Sequence, residues 1–317
     1  MKVGIPKALL YYKYYPFIES LFYELGAEIV TSEDTNRQIL NEGVKYCVDE
    51  ACLPVKIFHG HVASIKDKCD VLFIPRIMQL YKNESICPKF CGLPEMITNS
   101  IPNLPQIIAD PLKIDSTVGL RKWSLSIGRK LTKNMIKLEK AYNYALEAQQ
   151  RFNCGIKDKG YKINVALAGH PYNVYDKFAN MNLVKKLNKL GIGVITEEYV
   201  DKQYINNEVN SLFKRPFWTF ARNTFGFTTY LGKNSSVDGI IYISSFACGI
   251  DSVVIELIKD RLPHFPMLIL KIDEQTGEAG FDTRIEAFSD MLERRWSKNE
   301  DYLSKPGEFV SCSKELV

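Results

Sequence analysis

Four cysteines in this chain stand where a thiol could bind metal or react. Cys52 lies in DEACLPVKIFHGH, Cys87 and Cys91 in ICPKFCGLP, and Cys248 in SSFACGIDSVVIELI. Pro or Gly flanks them closely, supplying the shaped turns that a ligating loop needs. Cys248 also precedes GIDSVVIELI, where Asp251 or Ser252 is placed to cap a helix. A helix N-terminus favours thiolate, the form that binds metal or attacks. The C-x3-C spacing of Cys87 and Cys91, with no C-x2-C anywhere, leaves zinc, an iron-sulfur cluster and a redox thiol all open. Cys47, Cys69, Cys154 and Cys312 read as packing residues instead.

Other polar groups are candidates to line a crevice. His170 in GHPYN follows an apolar run and brings Tyr172 and Asn173 with it. Asp273, Glu274 and Glu278 in DEQTGEAG, with Arg284, could bond across the crevice or form a solvated loop with a structural ion pair. His59 and His61 in HGH could ligate from one side of a strand, although hydrogen-bonded core histidines are commoner. No residue is singled out as catalytic. YLGKNSS resembles the end of a Walker A loop, but Gly226 lies one residue too far upstream and Asn234 replaces Ser or Thr, so no P-loop ATPase is expected.

The elements that must position these groups follow a plan used twice. KVGIPKALLYYKYYPFIESLFYELGAEIVTSED and NVALAGHPYNVYDKFANMNLVKKLNKLGIGVITEEY each read as a short strand, a Gly/Pro turn with tyrosine, an amphipathic helix ending at Leu-Gly, and a second strand. Gly26 and Gly191 stand where a helix C-terminus wants a left-handed residue. CDVLFIPRI and VDGIIYISS then read as buried strands leading toward Cys87 and Cys248, and PMLILKID as a further central strand. Strand, helix and strand of these lengths imply parallel pairing. The expected fold is therefore α/β, with two Rossmann-like parallel-sheet domains related by an internal repeat. Ligand sites in such sheets lie beyond the carboxyl ends of the strands, where these loops fall.

Between the repeats, Trp123, Ile127, Leu131, Met135, Leu138, Tyr142, Ala145 and Phe152 mark one apolar face of a long helix packed across both domains. The proline-rich IPNLPQIIADP is read as the boundary before it. The expected division is 1–115 for the first domain, 116–160 for the linking helical segment and 161–317 for the second domain.

Composition narrows the partners. The 317 residues are 46% hydrophobic and 25% charged, as in an ordinary globular protein, and a net charge of +4 spread along the chain argues against nucleic acid. No run approaches the roughly 18 apolar residues of a membrane span, and the N-terminus lacks a signal peptide's apolar core. A cytoplasmic protein is expected. Glutathione there keeps thiols reduced, so the eight cysteines are not read as a disulfide framework.

Taken in order, GIPKALLYYKYYPF, DEACLPVKIFHGH, FIPRI with ICPKFCGLP, GHPYNVYD, FACGIDS and DEQTGEAGFDTRIEAF resemble the successive motifs of acyl-CoA dehydratase activase-related proteins. These belong to the wider 2-hydroxyacyl-CoA dehydratase superfamily, which also contains the double-cubane cluster proteins. The resemblance runs from Val3 to about Leu292. It implies a cytoplasmic iron-sulfur protein of anaerobic metabolism, with a 4Fe-4S or double-cubane 8Fe-9S cluster between two Rossmann-like domains. Cys52, Cys87 and Cys248 are its implied ligands, and Cys91 is an open fourth candidate. The implied activity is low-potential reduction or electron transfer, driven by a separate ATP-hydrolysing iron-sulfur activator and acting on an unidentified small molecule, with a homodimer as one arrangement. The rival expectations are a two-lobed module binding a small ligand or zinc, and a scaffold that delivers a cluster.

Overall fold

A computed structural model of the chain describes residues 1–114, 116 and 118–304, with side chains described as far as 297. Cys312 lies outside the described residues. The first half runs β1 (Lys2–Ile5), α1 (Tyr11–Glu24), β2 (Glu28–Thr31), α2 (Arg37–Tyr46), α3 (Leu53–Ile65), β3 (Val71–Phe73), β4 (Arg76–Gln79), α4 (Pro88–Cys91), α5 (Leu93–Ser100), β5 (Gln106–Ile108) and β6 (Pro111–Lys113). Two helices follow, α6 (Gly119–Gly128) and α7 (Met135–Arg151). The second half runs β7 (Ile163–Gly169), α8 (Pro171–Tyr175), α9 (Leu183–Lys189), β8 (Ile192–Ile195), α10 (Lys202–Asn210), α11 (Thr219–Lys233), β9 (Gly239–Ser245), α12 (Gly249–Arg261), β10 (Met267–Ile272) and α13 (Glu278–Ser304).

The strands form two four-stranded sheets, β2-β1-β3-β5 and β8-β7-β9-β10, and a two-stranded β4-β6 pair, with every ladder parallel. In each larger sheet the second strand lies outside the first, and the third and fourth lie on its other side. Parallel sheets must be covered on both faces, and the sequence alternation achieves this in the second sheet. Val165, Leu167, Ile241, Ile243, Leu270 and Ile272 join one core with Leu187 of α9 and Ile285 of α13. Ala166, Ala168, Ile240 and Tyr242 join the other with Phe225 of α11 and Ile258 of α12. In the first sheet, Val3 and Ile5 pack with Phe17 and Leu21 of α1 and Val62 of α3.

Close backbone contacts fix the helix that carries the first site residues. A β-carbon on Gly43 of α2 would lie 1.9 Å from the Lys56 carbonyl, and one on Gly60 of α3 would lie 1.8 Å from the Ile39 carbonyl. The two glycines therefore let α2 and α3 pack backbone to backbone. Gly26 and Gly191 adopt φ +85° and +75° after α1 and α9, as the Leu-Gly reading anticipates.

Four features depart from the sequence expectations. The single long helix between the halves is two helices. Gly128 ends α6 where a β-carbon would meet Leu138 at 2.4 Å, and Asn134 caps α7 by accepting the Lys137 N–H at 3.1 Å. The chain thus folds back, and α7 lies along α1 through Phe17–Tyr142 and Tyr15–Phe152 ring contacts. IPNLPQIIADP is no mere boundary, because its Gln106–Ile108 stretch forms the edge strand β5, a position that tolerates nearby proline. CDVLFIPRI is divided at Ile74–Pro75 between β3 and β4, which belong to different sheets. The second amphipathic helix is broken into α8 and α9, with Met181 and Asn182 left-handed between them at φ +53° and +57°.

Candidate metal centre

Cys52, Cys87 and Cys248 each occupy the residue immediately before a helix, α3, α4 and α12 respectively. Pro88 starts α4 and Pro54 is the second residue of α3, both within the first turn, where a missing N–H costs nothing. Before α12 the turn is strained: Ala247 adopts φ +60°, while Phe246 N–H bonds the Ile272 carbonyl and Cys248 N–H the Ser245 carbonyl. All four candidate cysteines are half-buried and free of disulfides. Cys248 is thus the N-terminal flank of its helix, and Asp251, expected as a cap, lies inside the first turn instead.

Tyr172 marks where the three segments meet. Burial pushes its hydroxyl well above the ordinary tyrosine value, and the thiols of Cys52, Cys87 and Cys248, with Asp251, add to that rise. Its ring stacks on His170 at 5.1 Å and meets Phe90 at 6.0 Å, while Phe220 meets His170 edge-on at 5.8 Å. These four rings form one aromatic cluster around Tyr172.

His170 precedes α8, whose first residue is Pro171. Its Nδ1 lies 3.1 Å from Asp251 Oδ1, which also accepts the Tyr242 hydroxyl at 2.7 Å. Ligand atoms of His170, Cys248 and Asp251 lie within 4.8 Å of one another. Asp251 Oδ2 and Asn173 Nδ2 are buried without partners among the described residues, and Asn173 Oδ1 accepts from Ser245 at 3.1 Å. The residues suit a metal group in part: Cys52, Cys87 and Cys248 all lie near enough to Tyr172 to act on its hydroxyl, but among the described residues only His170, Cys248 and Asp251 bring their ligand atoms within 4.8 Å of one another.

Electrostatics runs against the thiolate that the helix start predicts at Cys248, because burial outweighs the helix end. Burial, then Asp251, pushes the Cys248 thiol up to about 12, and burial raises Cys87. Without a cation both remain protonated at neutral pH, and a bound metal would supply the charge that releases their protons. Burial also works to raise Asp251, but His170 first, with help from the Tyr242 hydroxyl, outweighs it and holds the carboxyl below its ordinary range.

Cys91 points elsewhere, its thiol donating to the Ile77 carbonyl at 3.6 Å. Cys47, read as packing, ends α2 and interacts with Cys52, burial pushing its thiol up to about 11. Cys69 packs under Gly4, where a β-carbon would approach its sulfur to 2.6 Å. Cys154 reaches Glu198 at 3.5 Å.

Polar contacts lock the halves together around these groups. Lys56, one turn into α3 and 1% exposed, pairs with Glu274 at 2.5 Å, and Lys13 pairs with Glu197 and Glu198 at 2.5 and 2.9 Å. Glu278 instead pairs on the surface with Lys186, and Arg284 is exposed on α13. The HGH histidines lie on α3 and not on a strand. His59 Nδ1 bonds the Val55 carbonyl at 2.7 Å. His61 bonds Ser32 at 2.7 Å and Thr35 at 2.9 Å, and Thr35 donates to Asp176 at 2.6 Å. With Thr35 donating to Asp176, its oxygen accepts from His61 Nε2–H, and Ser32 donating to Nδ1 completes a chain that suits neutral imidazole. Burial accordingly lowers His61 to about 3.

Lys56 escaped the sequence reading, which gives Asp251 only as a helix cap. Cys-x-x-Asp at the start of a helix was the available signal, since residues three apart share a face. YLGKNSS forms the C-terminal end of α11, the opposite helix polarity from a phosphate loop. No helix among the described residues is long and apolar enough to cross a membrane.

Residues 2–200 match the family described as CoA enzyme activase uncharacterised domain (DUF2229). The chain matches no curated protein. Among solved structures, a mutant of a Mn-bound periplasmic metal binding protein from Candidatus Liberibacter asiaticus aligns over 93% of this chain and 99% of its own, at 10% identity and a TM-score of 0.25. A likeness at that score carries no argument about fold or function.

Proposed function

We propose, for a chain that belongs to the CoA enzyme activase uncharacterised domain family, that it is an iron-sulfur protein of the acyl-CoA dehydratase system. In this reading it is a low-potential reductase or its electron-transfer component, served by a separate ATP-hydrolysing activator. The observation that carries the reading is that Cys52, Cys87 and Cys248 each stand immediately before a different helix, all three close enough to Tyr172 to act on its hydroxyl. The two sheets are read as Rossmann-like domains related by an internal repeat, spanning 1–115 and 161–317, with 116–160 between them. Their matching strand orders support this.

When bound, the cluster would supply one-electron chemistry tuned by its surroundings. Cys52 and Cys87 would anchor it to the first half and Cys248 to the second. Tyr172, Phe90 and Phe220 would limit water beside it and so lower the local dielectric. Asp251 orients the His170 ring through Nδ1. Three thiolate ligands would leave a cubane one position open for substrate or an exogenous ligand, and a fourth from Cys91 would close it only if that thiol left the Ile77 carbonyl. Purification without oxygen, followed by reconstitution with iron and sulfide, should give a coloured protein containing both. A colourless, iron-free product would overturn the reading.

A second reading rests on the His170, Cys248 and Asp251 cluster, which suits a single zinc ion. It requires zinc retention without sulfide, lost on His170→Ala and unaffected by Cys87→Ser.

A further inference from the structure

The first sheet has its own switch point, beyond the ends of β1 and β3, where the chain departs to opposite sides and ligands of open α/β sheets bind. A cavity of about 140 Å³ lies there, with almost wholly apolar walls that include Ile5, Tyr14, Phe73, Trp123 and Leu146. That volume is close to the roughly 150 Å³ of an apolar cavity known to stay dry and admit benzene. The polar groups in its wall are largely committed. Trp123 donates to the Asp110 carbonyl at 2.9 Å, Tyr11 to Glu19 at 2.6 Å, and Arg76 to the Ala109 and Cys91 carbonyls at 3.3 Å each.

Gln149 is the buried exception, with an acceptor left over. Its Nε2 donates to the Lys13 carbonyl at 2.9 Å, but its Oε1 is buried with no partner among the described residues. A buried acceptor left unpaired is costly until something donates to it. A lone water is a poor answer, because it needs two to four polar partners.

We propose that this cavity binds one small aromatic molecule carrying a hydroxyl or N–H group. The ring occupies the apolar chamber and the donor meets Gln149 Oε1. Nothing in the assignment depends on the thiols, so it stands or falls separately from the iron-sulfur reading. Calorimetric titration of the full chain with phenol and with toluene tests it, with or without iron loaded. Saturable binding of one phenol per chain is expected, on the order of 5-fold tighter than toluene, as one hydrogen bond would give. Gln149→Leu should erase that preference while keeping toluene binding. Ala8→Leu should fill the chamber and abolish both, and Leu146→Phe serves the same purpose from the half-buried wall should the first variant not fold. Absence of binding by either probe, equal affinities in the unaltered chain, or a preference that survives Gln149→Leu would each overturn the proposal.

Discussion

The two sheets share one strand order and put opposite chemistry at the same place. Beyond β1 and β3 the chain has built an apolar chamber walled by Phe73 and Trp123. Beyond β7 and β9 it has built a polar cluster of His170, Cys248 and Asp251. The helix that follows each first strand explains part of the contrast. α1 runs unbroken for 14 residues and buries Phe17, Leu21 and Phe22. Its counterpart breaks after the five residues of α8, which presents His170 at its start and turns Asp176 toward Thr35 of the other half. A common topology fixes where a site can form, and the local sequence decides whether grease or ligands fill it.

The sharpest way to break this contrast is to remove the proposed ligands. Cys52→Ser, Cys87→Ser and Cys248→Ser should each lose nearly all bound iron after anaerobic reconstitution. Cys91→Ser and Trp123→Phe should keep it, as measured by iron and acid-labile sulfide per chain. Iron loss in Cys91→Ser would mean a four-thiolate site with no open position.

A smaller effect is expected at the lock between the halves. Thr35→Val removes the Asp176 donor and the His61 acceptor together, and should cost about 3 kcal/mol in urea unfolding, since one group left exposed to desolvation is a buried carboxylate. An unchanged midpoint would show that the halves are not held there.

The same lock should be sensitive to acid. His61 sits at about 3 against an ordinary 6.5, so between those values the unfolded chain binds a proton that the folded chain refuses. Stability from this residue is full above about pH 6.5 and falls by about 2 kcal/mol by pH 5. Burial raises the Asp176 carboxyl, so its cost is present at neutral pH and relieved as pH falls, opposing the His61 effect in acid. His61→Asn should flatten the decline between pH 7 and 5, as read from urea midpoints across that range. The smallest change is expected from Asp251→Asn, which keeps an acceptor for Tyr242 but weakens the bond to His170, at about 1 kcal/mol.

Much of the scaffold was legible because parallel strands need long apolar runs and helices need caps. Val237–Ser245, Pro266–Asp273 and the Leu-Gly helix ends announced themselves in this way. Edge strand β5 did not, because Gln106–Ile108 is too short to carry a period and sits among prolines. The break at Gly128 was hidden by apolar spacing that continues on both sides of it. Within the candidate site, the cysteines stood out by their flanking turns and Glu274 by its loop. Lys56 could not, since its partner lies in the other half of the sequence, and nothing local distinguishes a buried lysine from a solvated one.

The central claim is that thiols from both halves share one iron-sulfur centre, and iron K-edge absorption of the anaerobically reconstituted protein tests it most directly. The expected spectrum has a sulfur first shell and a second shell of neighbouring iron, with both lost in Cys52→Ser and in Cys248→Ser. A first shell of nitrogen and oxygen alone, or an unchanged spectrum in either variant, would contradict it.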